Sequence, residues 1–179
     1  MTLSLPDQLT TARLILREPR QSDAAAFFEA YTQDIEVARY MTWRPHRTLA
    51  ETESFVAYCR RGWDSGISRA YILVRHDEDI PIGMLEARLF PHTVDIGYVL
   101  QRRHWGHGLM PEAIATLCEA ALALPACFRI QATCDAENGA SARTLEKSGF
   151  TCEGKLARHT VLPNLGDEPR ASLIYARCR

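Results

Sequence analysis

From Thr11 to Arg17 (TARLILR) apolar and polar side chains alternate, the period-two pattern of a short strand with one face buried. The period then lengthens. Ala24, Phe27, Phe28 and Tyr31 fall at i, i+3, i+4 and i+7, which predicts a helix with Ser22 as its cap. Thr48 and Glu51 have the spacing of a capping box and open a second helix that should stop near Gly62. Between the two runs an aromatic, basic connector, Tyr40 to His46 (YMTWRPH).

Three strands follow: Arg69 to Arg75, Ile80 to Phe90 and Thr93 to Leu100. The polar turn His76 to Asp79 and an equally short second turn predict an antiparallel meander. A glycine-containing loop then leads to a helix from about Leu109 to Leu124, with Ile114, Leu117, Cys118 and Ala121 on one face and Pro125 at its end. The remainder reads as a strand (Arg129 to Cys134), a helix (Ala140 to Ser148, closed by Gly149) and two strands, Thr151 to Leu162 and Arg170 to Cys178. Strands that first cluster and then alternate with helices predict one mixed sheet covered by helices. That is a single α/β or α+β domain over residues 1–179. No internal repeat, low-complexity tract or Gly/Ser linker divides it.

Composition narrows the function. A domain of 179 residues buries roughly 70% of its unfolded surface and needs no metal or disulfide scaffold. With 21 basic against 22 acidic side chains, the net charge of −1 argues against a nucleic-acid binder that works by neutralising phosphates. The six cysteines form no C-x-x-C pair and have no zinc-ligand spacing, so they read as free thiols of a reducing compartment. Met1 to Thr10 carries no basic patch followed by an apolar core, and no stretch of about 18 apolar residues exists. A cytoplasmic protein without membrane or nucleic-acid partners is expected. His104 and His107 lack the carboxylate context of a zinc helix, and no metal is expected. Trp43, Trp63 and Trp105 read as core or pocket wall.

The most informative segment is Arg103 to Ala113 (RHWGHGLMPEA), where a strand delivers the chain to two glycines and a helix begins at once. The first turn of a helix has spare N–H groups and partial positive charge, and glycines let a ligand approach the backbone closely. Pro111 is tolerated there because its missing N–H would be spare in any case. The ligand is not that of a P-loop, because no Lys-Ser or Lys-Thr follows. Nor does a dinucleotide fingerprint fit: Pro111 stands in place of the third glycine, and Cys127-Phe128-Arg129 replace the acidic residue.

Tyr98-Val-Leu followed by Trp105-Gly-His-Gly-Leu-Met-Pro-Glu-Ala closely resembles the acetyl-CoA-binding motif of the GCN5-related N-acetyltransferase (GNAT) family. Asn138-Gly-Ala-Ser141-Ala-Arg-Thr-Leu-Glu146-Lys147-Ser-Gly149-Phe150 resembles its second signature, in the branch related to ribosomal-protein N-terminal acetyltransferases. The opening TARLILR and the closing Leu173-Ile-Tyr-Ala-Arg are similar to that branch too. The resemblance implies a mostly antiparallel mixed sheet with a splayed parallel strand pair, Thr93–Leu100 and Arg129–Cys134, flanked by about four helices. It implies that main-chain groups near Val99 and Leu100 meet the pantetheine arm of acetyl-CoA. The diphosphate would rest on the loop Trp105, Gly106, His107, Gly108, Leu109 and Met110, with Asn138 and Ser141 on the pantetheine side. The family pattern [QR]-x-x-G-x-[GA] matches Arg103 to Gly108 literally, whereas the strand-to-helix distance favours the frame Trp105 to Met110.

The implied activity is transfer of an acetyl group to a primary amine, most naturally a peptide N-terminus. The chemistry needs a neutral amine, a positioned carbonyl and stabilisation of the departing thiolate. Most of the family places an acidic tyrosine where this chain has Leu145; the branch lacks it, and a serine matching Ser141 is the implied substitute. Glu86 and Asp95 on adjacent strands are the expected base candidates, with His159 a third, since Thr160 replaces a carboxylate used by some relatives. Cys134 would sit near the thiol end of the ligand. Three alternatives stand beside this: a catalytically silent acyl-CoA sensor, an acetyltransferase of a small amine, and a nucleotide-binding enzyme. The sheet edge or the late strands could also support a homodimer.

Overall fold

Along the chain the elements are β1 (Leu9–Thr10), β2 (Leu14–Arg17), α1 (Asp23–Phe27), α2 (Ile35–Ala38), α3 (Leu49–Ser65), β3 (Ser68–Arg75), β4 (Glu78–Leu89) and β5 (Thr93–Leu100). There follow α4 (Leu109–Leu122), β6 (Arg129–Asp135), α5 (Gly139–Lys147), β7 (Thr151–Val161) and β8 (Pro169–Cys178). The computed structural model describes residues 3–179; positions 1 and 2 of the expected domain and N-terminal reading lie outside the described residues. Eight strands form one sheet in the order β1-β2-β3-β4-β5-β6-β8-β7. Every neighbouring pair is antiparallel except β5 and β6, which run parallel across the α4 crossover.

The sheet separates two apolar layers. On one face Tyr71, Leu85, Ile96 and Ile130 pack beneath Ile114 and Leu117 of α4 and Leu145 of α5. On the other, Ile72, Met84 and Val99 pack beneath Phe27, Tyr31 and Val56 from the first and third helices. The alternation visible in β3, β4 and β5 is the period of these two faces. All six cysteines are unpaired. No helix among the described residues is long and apolar enough to cross a membrane.

Several boundaries differ from expectation, each for a local reason. Helix α3 continues through Gly62 to Ser65. A side chain at Gly62 would place its Cβ 2.3 Å from Ser68 Oγ, so this glycine permits close packing of α3 on β3. Gly66, at φ +71°, ends the helix instead. The Thr48–Glu51 box does not close: Thr48 makes no side-chain cap bond, and Glu51 accepts the Arg47 amide at 2.8 Å. Ser22 likewise makes no cap bond, and Asp23 accepts the Arg20 amide at 2.7 Å. The first helix loosens into a π-helix at Phe28–Thr32 before α2, which Asp34 caps. Among the described residues there are five α-helices where about four are expected, because four-residue α2 is too short to leave a period in the sequence.

Candidate active site

Strands β5 and β6 pair at Thr93–Arg129, Val94–Ile130 and Asp95–Gln131, and their pairing ends there. Beyond it β5 continues to Leu100 and β6 to Asp135 as separate edges. Which β5 groups face this gap follows from the register with β4. Phe90–Thr93 and Ile82–Gln101 are hydrogen-bonded positions, so every second pair between them is too. Val99 therefore directs its amide and carbonyl to Met84, whereas Tyr98 and Leu100 direct theirs into the gap. The Leu100 carbonyl accepts the Trp105 indole N–H at 2.7 Å. This leaves the Tyr98 amide and carbonyl and the Leu100 amide as open strand-edge groups, a template for an extended amide-bearing ligand.

At the end of β5 a short 3-10 turn, Arg102–His104, leads into the glycine turn. The Trp105 amide is used within it, donating to the Arg102 carbonyl at 3.0 Å. Gly106 (φ +78°) and Gly108 (φ +73°) both occupy the left-handed region. Among the described residues the amides of Gly106, His107, Gly108, Leu109 and Met110 have no main-chain acceptor; the first recorded bond of α4 is Glu112 N–H to Gly108 O at 3.2 Å. Consecutive free amides at a helix N-terminus make a concave anion site.

This turn is clasped from behind by the N-terminal hairpin. Arg13 Nη1 donates to the His107 carbonyl at 2.9 Å, and its Nε donates to Glu112 at 2.7 Å. Thr11 Oγ1 and the Arg13 amide donate to the other Glu112 oxygen. Burial opposes ionisation of Glu112, but these hydrogen bonds and the guanidinium outweigh it and hold the carboxyl below its usual value. A depressed carboxylate pKa contributes stability above the unfolded value and loses it as pH falls through the folded one. The melting temperature of the wild type should therefore exceed that of Glu112→Gln at neutral pH. The difference should shrink as pH falls below the ordinary glutamate value of about 4.3 and vanish once the folded carboxyl, held lower, is itself protonated. A difference unchanged at low pH would contradict the clasp.

Across the gap, Asn138 caps α5, its Oδ1 accepting the Ser141 amide at 3.1 Å and its NH2 group bonding to nothing among the described residues. Ser141 is half-buried, with Oγ 2.7 Å from the Tyr98 hydroxyl. Leu145, where the resemblance implies an acidic tyrosine in most relatives, is fully buried. Cys134 lies next to this group; burial pushes its thiol up to about 11, a hydrogen bond from Ser141 working in the opposite direction.

The opposite face of the sheet carries a charged row. Arg88 Nη1 donates to Glu86 Oε2 at 2.7 Å, and the same guanidinium is paired with Asp95. Asp95 also accepts Gln131 Nε2 at 3.0 Å, Gln131 accepts Arg129 Nε at 2.9 Å, and Arg129 pairs with Glu153 at 2.6 Å. Glu86 and Asp95 thus do come together, as two partners of one arginine. His159 is exposed on β7, its Nδ1 2.8 Å from Thr160 Oγ1 and 3.1 Å from Ser172 Oγ, beside a bulge where Arg158 has φ +46°. The connector is tied to the β7–β8 loop by Asn164, which donates to the carbonyls of Ala38 (2.6 Å) and Trp43 (2.8 Å). Among the described residues no group of three or more His, Cys, Asp or Glu is placed to hold a metal ion.

Four features escape sequence reasoning: the Arg88 pairings, the Tyr98–Ser141 bond, the Thr11–Arg13–Glu112 clasp and the Trp105–Leu100 bond. Only Arg88 left a signal, since it stands two residues after Glu86 and so on the same strand face.

Comparison with known proteins gives a consistent picture. The family model "Acetyltransferase (GNAT) domain" matches residues 13–151. The uncharacterized N-acetyltransferase YnaD of Bacillus subtilis (strain 168) is 31% identical over 148 residues, covering 82% of this chain and 84% of YnaD. A structure of the microcin C7 self-immunity acetyltransferase MccE in complex with acetyl-CoA and AMP superposes with a TM-score of 0.85 at 20% identity, covering 94% of this chain and 93% of that one. The ribosomal L7/L12 α-N-protein acetyltransferase RimL, solved with coenzyme A in disulfide linkage to a cysteine, superposes at 0.82 with 20% identity, covering 99% and 98%.

Proposed function

The chain belongs to the GNAT acetyltransferase family and is an N-acetyltransferase, and on that premise we propose that it moves the acetyl group of acetyl-CoA onto the α-amine of a cytoplasmic protein or peptide by direct attack in a ternary complex. The diphosphate lies on the amides of Gly106 to Met110, and the pantetheine amides continue the sheet along Tyr98 and Leu100. Asn138 offers its free NH2 group to the same arm. MccE, which shares this fold, is described with acetyl-CoA bound, and RimL acts on a protein α-amine.

The observation that carries the acceptor class is the pairing of Arg88 with both Glu86 and Asp95. Both carboxylates are tied up as hydrogen-bond acceptors of one guanidinium rather than presented free to an incoming ammonium, so an acceptor that arrives already partly neutral suits this site best. An α-amine near pKa 7.8 is roughly 10–15% neutral at pH 7, whereas a lysine near 10.4 is about 0.04% neutral. The amine nitrogen then attacks the thioester carbonyl, the C–S bond breaks with its electron pair on sulfur, and the proton lost from nitrogen goes to water. Ser141 hydrogen-bonds the departing thiolate. Cys134 supports direct transfer: a buried thiol pushed up to about 11 stays protonated at neutral pH and makes a poor acyl carrier.

The test follows free-thiol release with N-terminal peptides, lysine side chains, polyamines, aminoglycosides and amino acids as acceptors. Peptide α-amines should outpace N-terminally blocked lysine peptides by about two orders of magnitude in kcat/KM, with intersecting initial-velocity patterns. Comparable rates on lysine, or preference for a small amine, would overturn the acceptor; a ping-pong pattern would overturn direct transfer. Ser141→Ala should lower kcat by about 10–100-fold, the range of a hydrogen bond to a charged group. Full turnover by that variant would remove Ser141 from the reaction.

A further inference from the structure

Helix α5 and its C-cap carry three hydroxyl side chains, and they behave differently. Thr144 donates to the Ala140 carbonyl at 2.9 Å and Ser148 to the Thr144 carbonyl at 2.8 Å, each bonding four residues back along the helix. That is the usual fate of a helical hydroxyl. Ser141 stands in the first turn, where α5 offers no helical carbonyl four residues back, and its hydroxyl bonds outside the helix. Its Oγ lies 2.7 Å from the hydroxyl of Tyr98, a residue of a different element, on the strand bordering the gap.

Tyr98 is placed for this by the sheet. Its main chain faces the gap, while its ring packs against the α4 layer and its hydroxyl reaches α5 on the far side. Burial raises the phenol well above its usual range, so at neutral pH it holds its single proton. Two acceptors are in reach, Ser141 Oγ at 2.7 Å and the Ser141 carbonyl at 3.2 Å. The carbonyl lies within α5, where the amide four residues on is its helical partner, and the hydroxyl oxygen is nearer. Either hydroxyl can be the donor across the 2.7 Å contact, and in the arrangement where the phenol gives its proton the acceptor is Ser141 Oγ. The serine oxygen is then held from one side, and its own proton, within reach of the Cys134 sulfur in the free protein, is left to be given to a ligand.

We propose that Tyr98 is the positioning residue of the transfer reaction: by donating into Ser141 Oγ it fixes that oxygen beside the gap and leaves the serine proton directed at the thioester sulfur. The inference rests on the reading that Ser141 stabilises the departing thiolate. Tyr98 loses no proton at any step. The C–N bond forms from the amine lone pair, sulfur retains the C–S pair, Ser141 shares its proton with that pair, and the amine proton leaves to water.

Tyr98→Phe, Ser141→Ala and the double variant, each checked for folding by its melting temperature, test the proposal. Tyr98→Phe should lower kcat about tenfold and leave the KM for acetyl-CoA within about twofold. In the Ser141→Ala background the same change should cost nothing further, because there is no hydroxyl left to orient. Multiplicative losses in the double variant, a rise in KM without a fall in kcat, or wild-type kcat in Tyr98→Phe beside a slow Ser141→Ala would each overturn it. Full turnover by Ser141→Ala would instead remove the underlying role of Ser141, and the proposal with it. Should Tyr98→Phe fail to fold, 3-fluorotyrosine at position 98 preserves shape and strengthens the donor. A kcat at or above wild type is then expected, and a fall would overturn the assignment.

Discussion

Gly108→Val is expected to raise the Kd for acetyl-CoA by about 10²–10³-fold and to erase the ligand-dependent rise in melting temperature. Gly108 sits at φ +73° as the residue before α4. A non-glycine residue in the left-handed region costs about 1–2 kcal/mol, and a β-branched one is a marked outlier there. Space is not the obstacle, since the nearest atom to an added Cβ is Arg13 Nη2 at 3.6 Å, an ordinary contact. The cost is borne by the backbone. A relaxed turn rotates the amides of Gly108 and Leu109 away from a common focus, and each lost hydrogen bond to a charged group is worth about 1.5–3 kcal/mol. In the wild type, acetyl-CoA at 100 times its Kd should add about 2.7 kcal/mol, which at about 2–4 °C per kcal/mol is a rise of about 5–10 °C. Calorimetric titration and a thermal-shift series on both proteins measure this. An undiminished shift in Gly108→Val would place the ligand elsewhere.

Asp23→Ala should destabilise the fold by about 3–5 kcal/mol, a loss of roughly 6–20 °C in melting temperature. Arg17 and Asp23 are buried together, their side chains 9% and 5% exposed, and joined by two hydrogen bonds of 2.9 and 2.8 Å. Asp23 also holds the Arg20 amide at the start of α1. Burial works against the Arg17 charge, and Asp23 and Asp79 more than restore it. Removing Asp23 leaves a guanidinium inside the protein with the exposed Asp79 as its remaining carboxylate. That uncompensated charge is the main cost, so adding Arg17→Met to Asp23→Ala should return part of the lost stability in urea titrations. A double variant less stable than the single one would contradict this.

What could be read in advance, and what could not, divides along physical lines. Strands β3, β4 and β5 were legible because each is long enough to show period two and is bounded by turn residues. Two-residue β1 and four-residue α2 are set by what they pack against and have no period of their own. Gly62 and Gly66 look alike as letters; a close contact explains one and a left-handed φ the other, and both are tertiary facts. The glycine turn was legible for the opposite reason, since glycines before a helix state their backbone chemistry directly. Which main-chain groups of β5 face the gap is a matter of register and is not legible in the sequence. Main-chain groups near Val99 and Leu100 were expected to meet the ligand, but Val99 faces β4, and only the register across Phe90–Thr93 and Ile82–Gln101 reveals that Tyr98 faces the gap. The acid and base candidates show the same limit. Glu86 and Asp95 are where their strands put them, yet both are engaged by Arg88, whose side chain had to be placed before its two partners could be known.

The central claim is that coenzyme A completes the sheet at the open β5 edge and rests its diphosphate on the glycine turn. Amide hydrogen exchange, residue by residue with and without acetyl-CoA, tests it most directly. The amides of Tyr98, Leu100, Gly106, His107, Gly108, Leu109 and Met110 should exchange fast in the free protein and slow together when the ligand is added, while Val99, already bonded to β4, stays slow in both. If Tyr98 and the glycine-turn amides exchanged equally fast with saturating acetyl-CoA present, or Tyr98 were protected without it, the ligand would not bind as described.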